Sequence, residues 1–85
     1  MSNNKIDVIV TYVGNKDFTD SVPAEMALQA VKEHAMKFFQ LDQASAGKYV
    51  LQYAGADVDQ HKHVGDFGVN PVKFTLMLAR EVNKG

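Results

Sequence analysis

The apolar positions of this chain follow two rhythms, and each predicts a different kind of element. From Ile6 to Val13 the order is Ile-Asp-Val-Ile-Val-Thr-Tyr-Val. In an extended chain Ile6, Val8, Val10 and Tyr12 share one side, and Asp7, Ile9, Thr11 and Val13 share the other. The polar members fall on the second side, so the first is expected to face the core. The β-branched content of this run suits a pleated, half-buried surface. Gly14-Asn15-Lys16-Asp17 is a turn signal. Phe18 to Val22 reads as a second strand, and two strands joined by a short turn form an antiparallel hairpin. Asp20 falls at an inward position of that strand, which predicts a bulge or a register shift.

From Ala24 the period changes. Pro23 stops the strand and suits the first turn of a helix. Ala24 to Phe39 contains no Gly or Pro and is dense in helix formers. Leu28, Val31, Ala35 and Phe38 recur at helical spacing and mark the expected buried stripe. Glu25 near the positive end and Lys37 near the negative end suit the helix dipole. Met26 and Met36 read as packing residues and His34 as a surface or boundary residue.

Beyond the helix, Gln40 to Gly47 is a polar connector, Lys48 to Tyr53 a third strand and Ala54-Gly55-Ala56 a tight turn. Val58 begins a very short extended piece, residues 61–70 are irregular, and Phe74 to Ala79 is the last strand. Residues 1–5 and 80–85 are expected to be loose polar ends around one domain at 6–79. The order is strand, strand, helix, strand, short piece, strand, which is an α+β fold. A β-grasp, a ferredoxin-like half or another small α+β roll would each satisfy it. The expected core includes Val8, Val10, Leu28, Val31, Leu51, Leu76 and Leu78.

Composition narrows the function classes. At 85 residues there is room for one domain. A net charge of −1 with no basic stripe argues against nucleic acid as a partner. The absence of cysteine excludes disulfides, thiolate metal sites and a cysteine nucleophile. No apolar run is long enough to span a membrane, and the first residues hold no apolar signal segment, so a cytoplasmic protein is expected. His61 and His63, with Asp57 and Asp59 nearby, are metal-ligand types, but their spacing implies no geometry and an exposed polar loop explains them, so no metal is expected. Glu33 and Asp66 have no visible partner for acid–base work, and the glycines lack a phosphate-binding spacing. No constellation supports an enzyme.

Several segments together carry a family resemblance. Ile6 to Val13 looks like the first strand of ubiquitin, and Leu28, Val31 and Ala35 match its inward helix positions. Leu51-Gln52-Tyr53-Ala54-Gly55 looks like its strand and turn ending in aromatic-Ala-Gly. Val64-Gly65-Asp66-Phe67-Gly68-Val69 is similar to its apolar-x-Asp-aromatic loop, which leads into a final strand like Phe74 to Leu78. Over roughly residues 6–80 the chain resembles ubiquitin and the ubiquitin-like modifiers, in particular those of bacterial operons. The resemblance implies a ubiquitin-like β-grasp, with a mixed four- to five-stranded sheet packed on one main helix.

It also implies a function without catalysis. A partner enzyme would adenylate the carboxylate of Gly85 with its own ATP, and a conjugating enzyme would pass it to target amines. A processing peptidase is a further implied partner, and the domain itself would need no cofactor. Glycine lets the chain end thread a narrow crevice, and Arg80, Val82 and Lys84 would be gripped as an extended tail. The family usually ends in two glycines, whereas Lys84 stands in the penultimate place here, which calls for an activating enzyme with a wider channel. The family's exposed recognition cluster maps onto Val13, Gln52 and Met77, with Thr75 near its usual histidine. Gln52 replaces the central isoleucine, so a shifted patch of Ile9, Val50, Met77 and Ala79, pointing away from the helix, is expected to contact partners. The plainer reading of these residues is half-covered strand positions. Of the family's chain-building lysines, two fall at Ala56 and near Pro71, and Lys16 is retained. A non-covalent docking or self-associating module is the alternative, and a sulfur carrier the least favoured one.

Overall fold

The computed structural model describes residues 5–79. Strands β1 (Lys5–Thr11) and β2 (Phe18–Pro23) precede helix α1 (Leu28–Phe38); β3 (Tyr49–Tyr53), β4 (Ala56–Asp57) and β5 (Val72–Leu78) follow. Short 3-10 turns occupy Gln43–Lys48 and Val64–Phe67. The strands form one sheet in the order β2-β1-β5-β3-β4. β1 and β5 run parallel at its centre, and the other neighbours are antiparallel. Of the arrangements compatible with the element order, this is the β-grasp: a hairpin, a crossover helix, and a last strand inserted beside the first.

The core lies between α1 and one side of the sheet. Val8 and Val10 of β1, Leu51 of β3, and Val72, Phe74 and Leu76 of β5 meet Leu28, Val31, Ala35 and Met36 of α1. Val22 and Val64 complete the buried set. Rings extend it at both ends. Phe67 stacks on Tyr53 and Phe74 with centroids 4.6 and 5.3 Å apart, and Tyr12 packs on Phe39 at 5.2 Å.

Two expected core residues are not buried. Leu78 continues the alternation of Leu76, yet it is 58% exposed. It sits at the end of β5 opposite Tyr49, the first residue of β3, beyond the cover that buries Leu76. Phe38 is 49% exposed because the buried stripe of α1 runs through Leu28, Val31, Lys32, Ala35 and Met36. Phe38 lies on the flank of that stripe, where its ring rests on Phe18 and Phe39 at 5.3 and 5.2 Å.

The helix begins four residues later than its propensities predict. Pro23 ends β2, and the Met26 N–H turns back to the Pro23 carbonyl at 3.0 Å. Residues 24–27 pair with the segment before β5 instead of coiling. Val64 N–H donates to Met26 C=O at 3.0 Å, and Gly65 N–H to Ala24 C=O at 2.8 Å. The first helical amides also find partners there, Leu28 N–H on Lys62 C=O at 2.8 Å and Gln29 N–H on Gln60 C=O at 3.1 Å. Glu25 is therefore outside the first turn of α1, while Lys37 does lie in its last turn. The close approach demands a glycine at 65, since a Cβ there would lie 2.9 Å from Ala24 Cβ.

The hairpin contains no bulge. Pairing is unbroken from Lys5↔Pro23 to Val10↔Phe18, and Asp20 is accommodated because β2 is an outer strand. Its exposed carboxylate accepts the Ser21 N–H at 2.8 Å. β1 also stops short of the expected Val13, which falls in the following turn and is 85% exposed. Between β3 and β4, Ala54 (φ 55°) and Gly55 (φ 86°) form a two-residue turn with both central residues left-handed, the geometry that matches strand twist in a tight hairpin.

Candidate functional site

The side of the sheet away from α1 is covered by no other element among the described residues. Strand alternation that buries Leu51 and Leu76 places Val50, Gln52, Thr75 and Met77 on this opposite side. Register then decides which of them meet. Val50 stands directly across from Met77, and Gln52 from Thr75. Ile9 stands across from Lys73 on the parallel β1–β5 pair, so polar positions separate it from Met77. Val50, Met77, Gln52 and Ile9 are half-buried; Thr75 and Ala79 are exposed. Ala79 follows β5 and is tied down by its N–H to Lys48 C=O at 2.7 Å.

The shifted patch therefore consists of an adjacent Val50–Met77 pair, with Ala79 two residues after Met77 and just past the end of β5. Ile9 is a separate apolar spot, and Val13 lies in a turn. Gln52 is occupied laterally, its Nε2 donating to Asp57 Oδ1 at 2.7 Å. Lys16 is exposed in the first turn. Gly85, Arg80, Val82 and Lys84, the expected conjugation terminus and tail contacts, lie outside the described residues.

His63 serves local structure. His63 N–H donates to Asp66 Oδ2 at 2.9 Å, closing the turn before β5, and His63 Nδ1 lies 3.6 Å from the same oxygen. The backbone N–H of His63 is the main reason the Asp66 carboxyl is held below the usual 3.8, the nearby His63 and Lys62 charges adding to it. Among the described residues no cluster of three or more His, Cys, Asp or Glu could hold a metal ion.

A second site escaped sequence reasoning. Lys32 is only 8% exposed, the one buried charged residue among those described. Its Nζ donates to Ala46 C=O at 2.9 Å and Tyr49 C=O at 3.0 Å. Burial lowers the lysine from its usual 10.5, opposed by the charge of Glu33. Lys32 borders a cleft of about 380 Å³ between α1 and β3. The available signal was spacing: Lys32 lies four residues after Leu28 and three before Ala35, within the apolar stripe.

The geometry defines a class, the ubiquitin-like β-grasp: one crossover helix on a mixed sheet whose other side is left open. The chain belongs to the BilA ubiquitin-like domain 2 family, whose model matches residues 7–80. Domains of this kind are modifiers or interaction modules rather than enzymes. Solved structures agree on the fold. The chain is similar to ubiquitin of Caldiarchaeum subterraneum, with a TM-score of 0.76 at 16% identity over 94% of this chain and 100% of that one. It is also similar to the ubiquitin-like domain of Plasmodium falciparum Dsk2, with a TM-score of 0.73 at 14% identity over 89% of this chain and 100% of that one. No curated protein sequence matches. Among the described residues no helix is long and apolar enough to cross a membrane.

Proposed function

We propose that this domain is a ubiquitin-like protein modifier that is conjugated through the carboxylate of Gly85. A partner enzyme joins the Gly85 carboxylate to the α-phosphate of ATP and releases pyrophosphate. A partner thiol then displaces AMP to give a thioester, and a target amine displaces the thiol to give an amide. The observation that carries this reading is family membership, supported by the position of β5. The last strand lies at the centre of the sheet, and Ala79 just beyond it is held by its N–H on the Lys48 carbonyl. The open side of the sheet, with the Val50–Met77 pair near the end of β5, is the surface on which partner enzymes recognise the domain.

The test follows the tail. The chain is incubated with lysate of its own cells, ATP and magnesium, and proteins are read by intact mass. ATP-dependent adducts, each heavier by the chain less one water, are expected with Gly85 present and absent when it is deleted. A lysate whose activating enzyme is demonstrably active, yet forms no adduct, would overturn this reading. A second reading, a non-covalent docking module, is favoured by the half-buried Val50–Met77 pair on an uncovered sheet. It predicts complexes that need neither ATP nor Gly85.

A further inference from the structure

The ammonium of Lys32 is unusual in what surrounds it. A lysine has three donors, and two of them are used on backbone carbonyls. No carboxylate of the described residues pairs with it. Removing a cation from water without an opposite charge is costly, and neutral carbonyls compensate only part of that cost. The same side chain borders an open cleft whose other lining residues include Leu28, Tyr49, Leu51, Val58 and Gln60. None of these carries a formal negative charge at neutral pH. The cleft thus joins apolar surface to one buried cation that no carboxylate among the described residues pairs with, and its volume of about 380 Å³ suits a side chain or a small ligand.

We propose that this cleft is a second recognition site, which takes an aspartate or glutamate side chain of a partner protein, presented beside an apolar residue. The carboxylate accepts the remaining Lys32 N–H, and the apolar neighbour covers the half-buried Tyr49 and Val58. Charge complementarity selects an acidic occupant over a neutral one, because a hydrogen bond between two ionised groups in a partly dry site is the strong kind. The site lies between α1 and β3 and reaches the rim of the open side, since Val50 and Ala79 also line it. It does not depend on whether Gly85 is conjugated.

The test is an NMR titration of the full chain with acetyl-Leu-Glu-Leu-amide and with its Gln counterpart. Saturable shifts are expected at Lys32, Tyr49 and Val58, with the Glu peptide binding about ten-fold more tightly. Lys32→Met, which keeps the apolar stem, should erase that preference, while the wild-type comparison stands even where the variant folds poorly. Equal binding of the two peptides, or shifts confined elsewhere, would overturn the proposal. Butyrate that binds where the Glu peptide does not would assign the cleft to a free carboxylate and also overturn it. Glu81→Gln should leave the affinity unchanged; a gain of about ten-fold would show that the chain's own glutamate competes for the cleft, against a partner as occupant.

Discussion

Along β5, Val72, Phe74 and Leu76 are buried against α1, while Lys73, Thr75 and Met77 alternate with them on the side that no helix covers. One strand thus supplies both the interior of the domain and the middle of its open surface. The buried residues are held by close packing and tolerate little change. The open residues meet only their cross-strand neighbours, Val50 with Met77 and Gln52 with Thr75. On the proposed reading, stability and recognition fall to opposite parities of the same sequence, and a substitution should disturb one without the other.

The largest contrast is expected between adjacent residues. Phe74→Ala should cost about 3–5 kcal/mol of stability, whereas Lys73→Ala should stay within about 0.5 kcal/mol, both read from urea unfolding. The contrast sharpens within one side of the sheet. Leu76→Ala should cost about 2–5 kcal/mol, and Leu78→Ala less than about 1 kcal/mol, because much of the Leu78 side chain already meets water. Equal losses would mean that the end of β5 is covered in solution.

Gly65→Ala tests the contact that delays the helix. The added methyl would meet Ala24 Cβ at 2.9 Å and the Ala24 carbonyl oxygen at 3.1 Å, and backbone atoms cannot swing aside. A loss of about 1–3 kcal/mol is expected, with amide exchange quickening at Val64 and Gly65. The smallest effect concerns pH. Burial lowers Lys32 below 10.5 in the folded chain, so between the lowered value and 10.5 the unfolded chain holds a proton that the folded one lacks. Stability contributed by this group therefore rises with pH across that window. The rise should be smaller in Lys32→Met, measured by thermal unfolding along the two pH series.

Much of the strand framework was legible in the residues. Alternation from Ile6 to Tyr12 and the Gly-bearing turns mark β1, the hairpin and β3 through local stereochemistry alone. The helix start was not, because Ala24 and Glu25 favour a helix locally and lose to hydrogen bonds from Gly65 and Val64, far along the chain. Period also misled where it outran its cover. Leu78 keeps the alternation and Phe38 keeps the helical spacing, but neither pattern says where the opposing layer ends. Of the residues expected to point away from the helix, Ile9, Val50 and Met77 alternate with buried strand neighbours, whereas Ala79 lies beyond the end of β5. Only register could show that Val50 and Met77 are neighbours and that Ile9 stands apart. Lys32 was passed over because a lysine on a helix is ordinarily solvated, and its burial depends on carbonyls that tertiary structure brings to Nζ.

The most direct test of the division between the two sides combines both readouts in one variant. Val50→Thr with Met77→Thr makes this pair polar, suits a pleated cross-strand position and leaves the buried core residues unchanged. The quantity to measure is ATP-dependent adduct yield in lysate beside the unfolding midpoint of the same preparation. Adducts are expected from the wild-type chain, few or none from the variant, with a midpoint shifted only slightly. Wild-type and variant chains that form adducts equally well would show that the open side is not the surface partner enzymes read.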